Sequence, residues 1–185
     1  MSGNLKLNTT SGGSIALTPE NTASTITVTV PAVTATLLTT ATAGVPIGGP
    51  AFSAYKSVDQ PLTNATKTKI TFEIESFDTN SNYASSRFTP TVAGFYQLSA
   101  GISWAGAASG VGIVFLDKNG GQFKVGSTDP LDFTANTSVL SVLVYANGTT
   151  DYFEIYGTQH SGVTLNAVSG ESFTYFTGCL VRSAT

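Results

Sequence analysis

The feature that most constrains this chain is a strict alternation of apolar and polar side chains, repeated in short runs that end at Gly, Asn or Pro. Ser14-Ile15-Ala16-Leu17-Thr18 sets Ile15 and Leu17 on one side, and Thr25-Ile26-Thr27-Val28-Thr29-Val30 aligns Ile26, Val28 and Val30. Ile70-Thr71-Phe72-Glu73-Ile74 and Phe95-Tyr96-Gln97-Leu98-Ser99-Ala100 repeat the pattern. A period of two belongs to a pleated strand with one buried face, and no stretch carries the 3.6-residue apolar period of a helix. Further strands are expected at Gly112 to Asp117, Val139 to Tyr145, Tyr152 to Tyr156 and Tyr175 to Val181. Asn119-Gly120 and Asn147-Gly148 are hairpin or tight-turn signals, because both residues tolerate positive φ. Short strands at such spacing predict an all-β sandwich or jelly roll.

Composition narrows the function classes. Only 10% of the 185 residues are charged, against about 25% in ordinary soluble domains. The polar surface is therefore built from Thr, Ser, Asn and Gly, which suits strands better than helices. The net charge is −3 and the eight basic side chains form no cluster, so the chain lacks the electrostatic footprint of a nucleic-acid binder. Its longest apolar stretch, Val139 to Ala146, is too short to span a bilayer, and no membrane insertion is expected. Met1-Ser2-Gly3-Asn4-Leu5-Lys6 has no apolar secretion core. Synthesis in a cytoplasm is expected, with any exterior location reached by another route. Cys179 is the only cysteine, which rules out an intrachain disulfide. Its apolar setting, Phe176-Thr177-Gly178-Cys179-Leu180-Val181, predicts a buried small side chain.

Two regions differ in texture. Residues 1–50 contain no Phe, Tyr or Trp, whereas aromatics recur throughout 51–185. The first region reads as a β-rich anchoring or trimerising segment. A turn at Pro19-Glu20-Asn21 separates its two strands, Pro31 ends the second, and a linker runs from Thr39 to Pro50. Two short strands cannot bury those apolar faces alone, so they need the following domain or neighbouring chains.

Specific segments of the second region resemble a known family. Ala51-Phe52-Ser53-Ala54-Tyr55 is similar to the first strand of the C1q globular domain, of the C1q/TNF jelly-roll superfamily. Ile70-Thr71-Phe72-Glu73, Phe77-Asp78 and Asn82-Tyr83 resemble its second strand and asparagine-rich loop. Arg87-Phe88-Thr89-Pro90-Thr91-Val92-Ala93-Gly94-Phe95-Tyr96-Gln97-Leu98 carries the clearest likeness, a Phe, a turn and then a paired aromatic strand. Phe115-Leu116-Asp117-Lys118-Asn119-Gly120 and Tyr175-Phe176-Thr177-Gly178-Cys179-Leu180-Val181 resemble a mid-domain turn and the closing strand. The resemblance covers residues 51 to 182 in the right order. It implies a jelly roll that works as a homotrimer, each sandwich packed flat on two neighbours. Neither a collagen stalk nor a coiled coil precedes it, unlike the animal members.

Gly12-Gly13-Ser14-Ile15-Ala16-Leu17-Thr18-Pro19, Thr27-Val28-Thr29-Val30-Pro31-Ala32 and Thr36-Leu37-Leu38-Thr39 are similar to segments of bacteriophage virion proteins, notably fibres. That resemblance implies a structural protein exposed on a particle, either a capsid decoration (cement) protein or a short fibre. Its partners would be itself, a major capsid protein or tail adaptor, and a host surface glycan. The competing reading is a cellular C1q-like lectin or ligand.

Enzyme chemistry is sparse. His160 is the only histidine, in the polar run Gly157-Thr158-Gln159-His160-Ser161-Gly162, and no Gly-x-Ser-x-Gly elbow occurs. One His and one Cys do not make a zinc site. Some C1q-like trimers hold calcium on loop oxygens, which makes Asp117, Asp129 and Asp132 the candidate ligands, with no other cofactor expected. Glu73 and Glu75 are two apart and share a strand face, while Glu154 lies on another strand. No spacing brings a carboxylate pair across a cleft for glycan hydrolysis. Trp104, Tyr152 and Tyr156 are candidates for a saccharide platform, against a structural role in the core or a threefold interface. Trp104 and His160 are retained as ligand-contact candidates. Tyr152, Tyr156 and Tyr175 are interface candidates, the first two on condition that Phe153 and Ile155 fill the interior.

Overall fold

A computed structural model of the chain describes residues 5–8, 14–17, 49–106, 109–131 and 136–184. The chain divides into two compact units, Met1–Leu37 and Leu38–Thr185. In the first, β1 (Leu5–Asn8) pairs antiparallel with β2 (Ser14–Leu17), Leu7 opposite Ile15. The strand expected over residues 25–30, and most of the linker over 39–50, lie outside the described residues.

The second unit is a two-layer antiparallel sandwich with no helix among the described residues. Its strands are β3 (Ala51–Tyr55), β4 (Gln60–Leu62), β5 (Thr68–Lys69), β6 (Ile74–Asp78), β7 (Tyr83–Ala84), β8 (Arg87–Phe88), β9 (Gly94–Trp104), β10 (Val111–Lys118), β11 (Gly121–Pro130), β12 (Asn136–Ala146), β13 (Phe153–Gln159), β14 (Leu165–Ala167) and β15 (Tyr175–Ser183). One sheet runs β11-β10-β13-β8-β7, with β5 also on β13. The other runs β4-β14-β9-β15-β3-β6, with β12 laid along the whole of β9. The all-β jelly-roll expectation holds.

Alternation decides which side chains fill the space between the sheets. Tyr96, Leu98, Ala100 and Ile102 of β9 point inward beside Phe52, Ala54 and Phe176. From the other sheet come Val114, Leu116, Phe153, Ile155 and Phe88. Phe52 is the aromatic centre, its ring 4.3 Å from Phe88, 4.8 Å from Phe176 and 5.1 Å from Tyr83. Such ring pairs add to the burial of area alone. Tyr96 ties its inward ring to the preceding turn by donating its hydroxyl to the Val92 carbonyl at 2.7 Å.

Three local expectations are refined. Asn119 (φ 54°) and Gly120 (φ 79°) form the two-residue hairpin between β10 and β11, the positive-φ turn that matches strand twist. Asn147-Gly148 is instead a tight crossing from one sheet to the other, where the Asn147 Oδ1 accepts the amides of Thr149, Thr150 and Asp151. Residues 70–73 are not a ladder strand, although Ile70 and Phe72 are buried as their alternation demands. The Thr71 and Phe72 amides donate to Gln60 Oε1 and Ser86 Oγ, so side chains satisfy groups a neighbouring strand would have taken.

Candidate functional site

The outer surface of the seven-stranded sheet is the most unusual surface of the molecule. Seven of the twelve large apolar side chains left exposed among the described residues lie on it: Ile74, Phe77, Phe95, Val139, Leu143, Tyr145 and Val181. Exposed apolar residues scattered singly are ordinary, but a contiguous sheet face of them marks an interaction surface. Register explains the clustering. A bulge opposite Ser53 and Ala54 brings both Ile74 and Phe77 to the outer side, beside Tyr55 and Ser53. Phe95 lies opposite Tyr145, ring centroids 5.6 Å apart, and Gln97 opposite Leu143. Between the apolar rows runs a line of hydroxyls, Ser53, Thr177, Ser99 and Ser141, each opposite the next. Arg182, opposite Phe95, is at the rim.

Tyr175 belongs to this face, its ring so close over Gly101 that a Cβ there would lie 2.7 Å from it. Cys179 belongs to it too, and is exposed rather than buried. The reason is the residue before it. Gly178 points inward against Leu98 and Phe52, where a Cβ would stand 2.4 and 2.8 Å from their carbons, so alternation turns Cys179 out.

The outer surface of the other sheet has a different chemistry. Phe153 and Ile155 are fully buried, which turns Tyr152, Glu154 and Tyr156 outward. The Glu154 carboxylate accepts Lys69 Nζ at 2.8 Å and Arg87 Nε at 2.9 Å. Burial works to raise its pKa, but the two cations and their hydrogen bonds outweigh that and hold it below the usual glutamate range. The Arg87 guanidinium stacks on the Tyr152 ring at 3.9 Å, and Lys67 Nζ lies 4.9 Å from the Tyr156 ring. Tyr152 and Tyr156 thus lie on the opposite side of the sandwich from Tyr175, and the three do not form one contact patch.

Two of the calcium candidates, Asp117 and Asp129, stand apart. Both oxygens of the buried Asp117 carboxylate accept Lys67 Nζ, at 2.7 and 2.8 Å. Asp129 accepts Ser127 Oγ and pairs opposite Gly112, five residues along β10 from Asp117, about 16 Å away. Asp132 lies outside the described residues. Among the described residues no three metal-ligating side chains converge. Trp104 is corrected from ligand contact to core, since its side chain is wholly buried with Nε1 donating to Ser138 Oγ at 2.9 Å. His160 is exposed in a loop, its backbone amide bonded to the Val111 carbonyl. Glu73 and Glu75 do not share a strand face, because Glu73 leaves the ladder to bind Lys56 at 3.0 Å. Burial opposes ionisation of Glu73, but hydrogen bonds from Thr71, Ser57 and Lys56 draw its pKa down to about 2.

Sequence reasoning missed the open face, although one signal for it was present. In β12 the run Val139-Leu140-Ser141-Val142-Leu143-Val144-Tyr145 is apolar at both parities, the mark of a strand covered on two sides.

No protein-family model matches this chain. No curated protein matches it either. Solved structures do. The fold is similar to murine APRIL, with TM-score 0.51 and 7% identity over 71% of this chain and 98% of that one. It is similar to the globular domain of zebrafish complement 1qA, with TM-score 0.52 and 17% identity over 73% of this chain and 99% of that one. Eiger TNF from S. frugiperda matches with TM-score 0.52 and 8% identity over 73% of this chain and 94% of that one. Likeness at such identities speaks for fold alone, and on that evidence the chain folds as a jelly roll of the C1q/TNF type.

Proposed function

We propose that this protein is a non-enzymatic homotrimer, assembled through the open face of the seven-stranded sheet, and that it serves as a structural protein on a bacteriophage particle. The observation that carries the assembly is the charge-poor apolar face itself. An apolar area of this kind is stabilised when it is removed from water, at roughly 25 cal/mol per Å², and a second copy supplies a matching surface without an unpaired buried charge. The particle reading rests on the virion-like texture of the first 50 residues. A decoration protein that clamps capsid subunits and a short fibre that touches a host are its two forms. The non-enzymatic reading is supported by the carboxylates: Glu73 and Glu154 are held ionised by cations and hydrogen bonds, so neither is poised as a general acid at neutral pH.

Two measurements test this. Light scattering coupled to size exclusion should return three chains per particle in solution, with the Cys179 thiol slow to react until a denaturant separates them. A monomer with a freely reactive thiol would sink the assembly. Quantitative mass spectrometry of purified virions should find the chain in hundreds of copies for a decoration lattice or a few dozen for a fibre. Its absence from particles would remove the virion role.

A further inference from the structure

The outer face of the six-stranded sheet carries a second surface, on the opposite side of the sandwich from the proposed assembly face. Its carboxylates are buried: Glu154 is 3% and Asp117 4% exposed. The cations above them are not, with side-chain exposures of 32% for Lys67, 29% for Lys69 and 44% for Arg87. Solvent therefore meets three cationic groups and the edges of Tyr152 and Tyr156, with the neutralising acids underneath. The patch sums to +1 in a chain whose net charge is −3. It is also rigid, because each cation is anchored on a buried acid.

Arg87 is the distinctive member. It uses Nε on Glu154 and sets its Cζ over the Tyr152 ring, 3.9 Å from the centroid, and among the described residues its two terminal nitrogens make no hydrogen bond. Those nitrogens form one edge of a planar fork, the geometry that receives a carboxylate through two parallel bonds. The rings run along β13 beside it, with Tyr152 and Tyr156 separated by about 13 Å, the span of a short oligosaccharide.

We propose that this ladder of Arg87, Tyr152, Lys69, Tyr156 and Lys67 binds acidic saccharides, with a sugar carboxylate on the free edge of Arg87 and ring hydroxyls on the tyrosines. The proposal rests on the host-contact form of the function above and names its ligand class. One net positive charge suits a sparsely charged polyhydroxylated chain rather than a nucleic acid, whose dense phosphates demand many cations. The tyrosine faces are also covered by cations, which leaves no open platform for stacked bases. A weak site is sufficient, because three copies on one trimer multiply its hold on a repeating polymer.

The test is calorimetric titration of the full chain with an aldotetraouronic acid, which carries one uronate on three neutral sugars, and with its methyl ester, which keeps the sugar and removes the charge. Binding of the acid and not the ester is expected. Arg87→Lys keeps a cation for Glu154 but loses the planar fork, and should weaken binding about tenfold with little change in thermal midpoint. Tyr152→Leu should weaken it as well. Equal binding of acid and ester, no loss in Arg87→Lys, or no binding of either probe at millimolar concentration would overturn the assignment. The oligomeric state of each variant is measured alongside. A trimer that ignores the sugar sinks this inference alone, whereas a monomer sinks the assembly and leaves the single site to be judged by the titration.

Discussion

Trp104 lies against Gly112 so closely that a Cβ on the glycine would stand 2.3 Å from the indole nitrogen. That nitrogen donates to Ser138 Oγ, which in turn donates to the Gly112 carbonyl at 3.0 Å. The chain's one tryptophan is therefore seated by a glycine on β10 and a serine on β12, and it bridges both sheets.

Gly112→Ala should destabilise the fold by about 1–3 kcal/mol, the usual result of overpacking a full core. The change is read as a lower urea midpoint followed by tryptophan emission, which reports this site alone. Ser138→Ala should cost a similar amount for a different reason, because it leaves the buried indole N–H without its acceptor. An unchanged midpoint in both variants would show that the seat carries no stability.

Glu154 gives a pH prediction with a definite sign. Its folded pKa is lowered, so the stabilisation it contributes is fully present above the unfolded value, near 4.5, and is lost as pH falls through the folded value. The stability difference between the wild type and Glu154→Gln should be largest at pH 7 and shrink steadily below pH 4. Glu73 behaves in the same sense over a window from about 4.5 down to about 2. A gap that widens on acidification would contradict the assignment.

Gln159 is wholly buried, yet every polar atom of its amide is engaged. Its Nε2 donates to the carbonyls of Leu62 (3.1 Å) and Val163 (2.7 Å), and its Oε1 accepts the Ser161 amide and hydroxyl at 2.8 and 2.6 Å. Gln159→Met keeps the volume but strands these partners, and should cost about 2 kcal/mol. Hydrogen exchange should quicken first in the loop over residues 160–164, which this amide pins to β4.

The open face makes a prediction about salt. Because its apolar rows and hydroxyl line carry no charge except at the rim, the oligomer should survive high ionic strength that would screen ion pairs. Leu143→Lys, by contrast, should dissociate it while leaving the unfolding free energy of the single chain within about 1 kcal/mol of its starting value, since Leu143 is 54% exposed in the single chain. Dissociation by salt, or an intact oligomer in Leu143→Lys, would place the interface elsewhere.

Much of this molecule was legible in the sequence because strand alternation is a local property. The parity of Tyr96, Leu98 and Ala100, or of Phe153 and Ile155, follows from chain geometry alone, and so does the hairpin at Asn119-Gly120. Turn chemistry and the aromatic segments then sufficed for the jelly roll. Tertiary structure decided what depends on register and on partners distant in sequence. Trp104 went to the core because a glycine on β10 made room for it. Cys179 went to the surface because Gly178 took the crowded inward place against Leu98 and Phe52. Asp117 became a salt-bridged acid because Lys67, 50 residues away in sequence, lies within 3 Å in space. Tyr152 and Tyr175 parted to opposite faces because β13 and β15 joined different sheets. A sequence states which side of its own strand each residue occupies; which sheet the strand joins, and what then meets each side, is a matter of long-range packing.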